Sequence, residues 1–185
     1  MVSSRFTIAL LLAMAPAALP QSAQKLTHKV TLAADSPLTL MLDDWGDTSA
    51  TQQGGAFFVN VRATLTFRNA RQQRIHGVTL SVISQESTLG GKGSVSVPSL
   101  NIGPNETFPI NINLHLLRPI GAIPAVEVQL DGVLFDDLSF YGLDKLHSKR
   151  TMTVWELEAR RDRQYFKKLL ETAGSKGLQD GVIAS

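Results

Sequence analysis

Two short acidic clusters carry the side chains that could do chemistry in this chain. The candidate carboxylates all lie in predicted loops: Asp43, Asp44, Asp47, Asp136 and Asp137. Two such loops at one end of a sheet could supply the about six to eight oxygens that Ca²⁺ prefers. Asp44 with Asp136 or Asp137 could instead hydrolyse a glycoside, which needs two carboxyl groups about 5–10 Å apart. Aspartate is also a common turn residue, so we predict no metal site and no cofactor, and keep Ca²⁺ binding and a hydrolase as alternatives.

Trp45 and the absence of cysteine further limit the kinds of functional site that the chain could form. Trp45 lies inside the first acidic cluster, and an exposed indole can stack on a sugar ring. A carbohydrate-binding module is therefore another alternative. The chain has no cysteine, which excludes a disulfide scaffold, a Cys-ligated zinc site and a cysteine nucleophile. It also has no Gly-x-Ser-x-Gly motif, the usual serine-hydrolase signature, so we predict a protein that is not an enzyme.

The first 23 residues are typical of a secretory signal peptide. Arg5 is followed by the apolar run from Phe6 to Met14, and then by a stretch rich in alanine. A charged start, a short apolar run and small residues are the three parts of such a signal. Cleavage is predicted after Ala17 or Ala23. We expect an exported protein, periplasmic or extracellular, and the lack of cysteine favours a bacterial envelope.

Residues 25–143 show the alternation of a β-rich domain. From Ala56 to Arg68, apolar and polar side chains alternate strictly, which is typical of a half-buried strand. About seven such strands follow one another with no helical stretch between them. Gly77 is predicted as a bulge, Pro98 as the end of an edge strand, and Asp131-Gly132 as a type I′ hairpin turn. The sequence therefore predicts an all-β, antiparallel β-sandwich.

The stretch from Val59 to Asp136 resembles the bacterial immunoglobulin-like or fibronectin type III-like sandwich module. The matching strand and turn segments are residues 63–69, 77–82, 100–108 and 126–132. The resemblance implies an immunoglobulin-like fold with a binding or spacing role, and it implies no catalytic residues.

The pattern becomes helical after residue 143. Residues 144–174 are predicted as a basic linker and an amphipathic helix from Thr151 to Ala173. Thr153 and Glu156 form a capping-box pattern at its start, and Gly174 is a typical C-cap. Residues 175–185 are predicted as a flexible tail.

The helix carries the predicted partner-binding residues. Its apolar stripe and adjacent arginines supply the candidates: Trp155, Phe166, Leu169, Leu170, Arg160 and Arg161. Such a stripe either packs on its own domain or stays exposed and binds a partner protein. We expect an exported module for protein interaction or structural support in the cell envelope.

The net charge of +2 is the sum of an acidic segment and a basic segment of the chain. Residues 25–144 hold eight basic and eleven acidic side chains, and residues 145–168 hold eight basic and three acidic ones. The basic character therefore belongs to the helix and its linker. Export argues against a nucleic-acid target, so the segment either docks on the acidic sandwich or attracts an acidic protein partner.

Overall fold

The computed structural model describes residues 26–87, 89–120 and 125–184. Within them, nine strands precede one long helix. The strands are β1 Thr27–Thr31, β2 Leu38–Asp44, β3 Ser49–Gln53, β4 Ala56–Asn69, β5 Ile75–Ile83, β6 Lys92–Val97, β7 Thr107–Pro119, β8 Ala125–Phe135 and β9 Phe140–Tyr141. Helix α1 spans Ser148–Ala184. The predicted signal peptide lies outside the described residues.

The first sheet, sheet I, is built around β4. Strands β2 and β3 pair antiparallel with successive halves of one edge of β4, and β7 pairs antiparallel along the whole of the other edge. The strict alternation along β4 puts every second side chain inside the molecule. Sheet I therefore presents one apolar face to the interior and one polar face to solvent.

The second sheet, sheet II, is built around β8. Strand β5 pairs with one edge of β8, and β6 lies beyond β5 at the rim of the sheet. The other edge of β8 is shared by β1 and the two-residue β9. Strand β1 runs parallel to β8, which departs from the all-antiparallel expectation.

The core lies between the two sheets. Leu65 and Phe67 from sheet I and Val78 and Leu80 from sheet II are fully buried in one apolar cluster. These residues were all on the apolar faces that the alternation predicts. The predicted β-rich, two-sheet architecture with a C-terminal helix is confirmed.

The predicted hairpin at Asp131-Gly132 is wrong. Strand β8 continues through both residues to Phe135. Gly132 pairs with Thr79 and Leu130 pairs with Leu80, so Asp131 is an extra residue in a β-bulge. The glycine is needed because a Cβ there would come within 2.1 Å of the Phe140 ring. The predicted bulge at Gly77 is confirmed by a register shift between Ile75 and Gly77.

Both ends of the helix differ from the prediction. The helix starts at Ser148, so Thr153 and Glu156 lie inside it and form no capping box. Gly174 has a φ of 65° and interrupts the helix at the predicted C-cap. A second helical stretch then runs to Ala184, where the sequence predicted a flexible tail.

Candidate functional site

The first helical stretch of α1, residues 148–173 and hereafter the arm, begins on a pair of aspartates. The Asp144 Oδ1 atom accepts a hydrogen bond of 2.8 Å from the backbone N–H of Lys149, which satisfies one free donor of the first turn. The buried Asp131 carboxylate accepts one of 2.9 Å from the Ser148 hydroxyl. The bulge in β8 therefore aims the Asp131 side chain at the start of the arm and ties the two together.

One turn later, a methionine packs into a notch in sheet II. Met152 is 1% exposed, and its Sδ atom lies 3.6 Å from the Thr79 hydroxyl. A Cβ at Gly77 would lie only 2.7 Å from that sulfur. The bulge glycine thus leaves the space in which Met152 fits.

The third contact is a cluster of polar side chains around a buried glutamate. Glu156 is 1% exposed, and its Oε1 atom lies 2.9 Å from His76 Nδ1 and 2.8 Å from both Arg160 Nε and Arg163 Nη2. Burial raises the pKa of the Glu156 carboxyl, but hydrogen bonds from Arg160 and His76 outweigh it and leave the pKa below its usual value. Glu156 is therefore the charged centre of the joint between arm and sandwich.

These contacts define the anchor face of the arm, which consists of Ser148, Met152, Glu156 and Arg160. The residues recur every fourth position, so they lie in one row along the helix. Arg160 also donates to the backbone carbonyl of Asp136. Arg160, predicted to bind a partner, thus makes contacts within the molecule, and among the described residues Arg161 pairs with the exposed Glu158.

The predicted apolar stripe lies beside the anchor face rather than under it. Trp155 and Leu170 remain 42% and 46% exposed, and Phe166 and Leu169 are half-buried. The stripe therefore does not form the main contact with the sandwich. The anchor was missed from the sequence because a glutamate is not expected at a buried position, although His76, Glu156 and Arg160 are each recognisable there as polar residues.

Beyond Gly174 the chain folds back along the arm. A Cβ at Gly181 would lie 2.3 Å from Leu169 Cδ2, and a Cβ at Gly177 would lie 2.2 Å from the Ala173 methyl group. Two glycines four residues apart therefore let the second helical stretch pack closely on the first. The resulting helical hairpin half-buries Leu169 at the outer end of the arm.

Trp45 has no face open to a sugar. It is 8% exposed, the His28 ring stacks on it at 4.5 Å between centroids, and its Nε1 atom donates to Asp43 Oδ2 at 3.1 Å. Trp45 is therefore a core residue, and this geometry does not favour the carbohydrate-binding alternative at that position.

The two acidic clusters are kept apart by the fold. Asp44 pairs with Thr64 in sheet I, whereas Asp137 binds Gln73 just beyond the end of β4 at Asn69. Five residues of strand separate Thr64 from Asn69, or about 16 Å, which is too far for the carboxylate pair of a glycosidase. In the three described ranges, no group of three or more histidine or acidic residues could hold a metal ion.

The acidic side chains instead form local turns. Asp44 Oδ1 accepts a hydrogen bond from the Gly46 amide, and Asp137 Oδ1 accepts from the Ser139 amide and hydroxyl. The Ser139 bonds lower the pKa of the Asp137 carboxyl. Asp136 donates its amide to the Arg74 carbonyl. These are the structural roles expected of aspartate in turns.

No helix in the described residues is long and apolar enough to cross a membrane. Comparison with protein-family models, curated proteins and solved structures found no significant match.

Proposed function

We propose that the mature protein is an exported, non-enzymatic sandwich module that binds a protein partner in the cell envelope through its arm. The observation that carries this proposal is the unequal packing of the arm. Its first turns are fixed to sheet II by Asp131, Met152 and Glu156, while Leu170 and other apolar side chains farther along stay exposed. A helix held rigidly at one end and exposed at the other is suited to presenting side chains to a partner.

The strand order supports an immunoglobulin-like classification. Strands β4 and β7 are neighbours in sheet I, and β5 and β8 are neighbours in sheet II. They correspond to the B–E and C–F pairs of that sandwich, with β2 in place of strand A and β9 as a very short strand G. Such sandwiches serve many unrelated functions, so the binding role rests on the packing of the arm and not on the fold.

Export is tested by locating the N-terminus of the processed chain. When the full chain is produced in a bacterium with an envelope, we expect a periplasmic protein that begins at Ala18 or Gln24. N-terminal sequencing after fractionation measures this. An unprocessed chain that starts at Met1 and stays in the cytoplasm would contradict export.

Partner binding is tested by capture from the native envelope. The bait is the mature chain, compared with a chain that ends at Arg163 and with the double variant Trp155→Ala and Phe166→Ala. Because ending at Arg163 preserves the anchor face, the sandwich should remain folded while the captured protein is lost. Leu89→Ala, at a side chain 95% exposed on the sandwich, is the matched control and should capture normally. Equal capture by all four proteins would refute the role of the arm.

A further inference from the structure

A cleft opens beside sheet II at a place where the edge of β8 is not covered by a strand. On that edge, β1 pairs with β8 as far as Gln129, and β9 pairs with it from Val133. Within the described residues, Leu130 and the two residues after it have no strand partner there. The chain that leaves β1 forms one wall, and the chain that leaves β9 forms the other. The cleft has a volume of about 520 Å³, and ligand pockets hold roughly 300–1,000 Å³.

The greater part of the lining of this cleft is apolar. Leu32, Leu130 and Tyr141 line it and pack from outside against the core cluster. The floor of the cleft is therefore held in place by the core. Leu143 lies in the wall after β9 and is 72% exposed. A ligand that covered Leu143 would remove apolar surface from water, which favours binding.

Two of the polar side chains that line the cleft already have a partner. Thr31 Oγ1 donates to Glu127 Oε1 at 2.7 Å, and the Gln129 side chain forms a hydrogen bond with the same carboxylate. The polar ends of both side chains are therefore engaged with Glu127. Asp35 and Tyr141 remain as the polar side chains that a ligand would meet in the cleft.

Asp35 is held in position at the rim of the cleft. The Tyr141 hydroxyl donates to Asp35 Oδ1 at 2.8 Å, and Arg71 Nη2 donates to the Asp35 backbone carbonyl at 3.0 Å. Partial burial and the neighbouring Asp35 carboxylate raise the pKa of the Tyr141 phenol above its ordinary value, so the hydroxyl stays protonated and keeps donating. A carboxylate has two accepting oxygens, so Asp35 Oδ2 remains able to accept from a ligand.

The charge of the cleft selects the kind of ligand. Asp35 is the one charged residue among the described residues that line it. Arg71 binds the backbone of Asp35 rather than its carboxylate, and within the described residues this carboxylate forms no ion pair. An anionic group would be repelled there. An ammonium group carries donors only, and its hydrogen bond to a carboxylate is stronger than a bond between neutral groups.

We propose that this cleft binds a molecule that carries an ammonium group on an apolar body. The ammonium group donates to Asp35 Oδ2, and the apolar body lies on Leu130 and Leu143. The site does not use the exposed apolar residues of the arm, so the inference goes beyond the proposed partner binding and does not depend on it. A free amine and a lysine side chain of another protein present the same chemistry, and the experiment separates them.

The test is titration of the mature chain with three small molecules of similar shape, followed by amide NMR shifts. Phenethylammonium carries the positive charge, 2-phenylethanol is its neutral counterpart, and 3-phenylpropanoate is an anion of nearly the same size. We expect phenethylammonium to shift the amides of residues 31–35 and 141–143 with a Kd of about 1 mM, which is ordinary for so small a ligand. The other two molecules should bind at least about tenfold more weakly.

Two substitutions separate the charge from the apolar contact. Asp35→Asn keeps an oxygen for the Tyr141 hydroxyl but removes the negative charge, so it should weaken phenethylammonium binding about tenfold and leave 2-phenylethanol binding unchanged. Leu143→Ala should weaken the binding of both molecules by about threefold, because less apolar surface is covered. Asp47→Asn makes the same change at an exposed aspartate in the turn after β2. It is the matched control and should bind like the unaltered chain.

A capped lysine identifies the source of the ammonium group. The probe is lysine acetylated at its amino end and amidated at its carboxyl end. If it shifts the same amides and loses binding in the Asp35→Asn variant, the ligand is a lysine side chain of another protein. If phenethylammonium alone does so, the ligand is a free amine. Either result supports the inference.

Three outcomes would overturn the inference. They are no shift in residues 31–35 and 141–143, equal affinity for the three molecules, and an Asp35→Asn variant that binds phenethylammonium as tightly as the unaltered chain. A loss of binding in Asp47→Asn as large as that in Asp35→Asn would also overturn it, because net charge alone would then explain the effect. Capture of an envelope protein by the arm is unaffected by these results, so the proposed function stands or fails separately.

Discussion

The two sheets and the arm are held in place by different physical interactions. Between the sheets, Leu65, Phe67 and Leu80 belong to one continuous apolar cluster. At the joint of the arm, Met152 is the fully buried apolar side chain. The other contacts of the joint are directional bonds through Asp131 and Glu156. Burial of apolar area is strong but non-directional, whereas hydrogen bonds and ion pairs fix an orientation.

The polar nature of the joint explains why the arm can be exposed to solvent and yet held in a fixed orientation. A polar joint orients a helix while burying little apolar surface, so Val154, Leu157 and Tyr165 remain exposed. The sandwich should therefore unfold as one unit with a large free energy. The joint should open separately at a smaller cost.

The largest effect on the free energy of unfolding is expected from a substitution in the core between the sheets. Leu65→Ala removes a fully buried side chain and should lower the free energy of unfolding by about 2–5 kcal/mol. Urea denaturation followed by circular dichroism measures it. Leu170→Ala, at an exposed arm position, should change the same quantity by less than about 0.5 kcal/mol. Equal losses would mean that the arm belongs to the cooperative core.

Met152→Ala should show whether the joint of the arm and the sandwich unfold independently. Losing the side chain that fills the notch at Gly77 should weaken docking of the arm by about 2 kcal/mol and leave the sandwich folded. Hydrogen exchange should speed up in residues 148–163 while the amides of β4 and β8 stay protected. Faster exchange in β4 as well would show that the joint stabilises the core.

Glu156 should make docking of the arm depend on pH. Its folded-state pKa is lowered from the ordinary 4.5, so docking is stabilised above that pH and weakens as the pH falls through the lowered value. Glu156→Gln should weaken docking by about 1.5–3 kcal/mol at neutral pH and abolish this acid dependence. Hydrogen exchange of residues 148–163 between pH 3 and pH 7, roughly the carboxylate range, measures both effects.

The matched control for this experiment is Glu158→Gln, because Glu158 lies on the same helix but is exposed. It should leave the pH profile unchanged. A profile that is the same in the Glu156→Gln variant and the unaltered chain would assign the acid dependence to another group.

The smallest effect on the stability of the sandwich is expected from a change at the turn of the helical hairpin. Gly174 has φ 65° and ψ −168°, a backbone region that is essentially restricted to glycine, and a Cβ there would meet nothing within 4 Å. Gly174→Ala should therefore cost backbone strain of about 1–3 kcal/mol, confined to the hairpin. Residues 175–184 should exchange faster, with no change in the docked turns or in the melting temperature. A lower melting temperature would show that the hairpin supports the sandwich.

Local patterns were sufficient wherever one strand face meets the core. The alternation along β4 and β7 identified buried Phe67 and Ile110 directly, because a strand side chain can point only to one of two faces. The Glu156–Arg160 pair was likewise readable, since residues four apart are neighbours on any helix. Strand β3 escaped prediction because Ala50 is its single apolar residue, so no alternation is visible, and β9 escaped because two residues cannot show a period.

The roles that sequence reasoning missed depend on residues far apart in the chain. Asp131-Gly132 reads locally as a hairpin turn, but β5 pairs across both residues and turns them into a bulge. That bulge places Asp131 against Ser148, and Gly77 opens the notch for Met152. No spacing in the chain signals these contacts, because each joins residues that meet only after the sheet has formed.

The sequence by itself determined the β-rich domain, the C-terminal helix and the division of charge between them, because side-chain periodicity and composition are local properties. Only the tertiary structure decided which side of the helix is anchored and which is left to solvent. That choice depends on His76 meeting Glu156 across the joint, a contact between strand and helix that exists only in the folded chain.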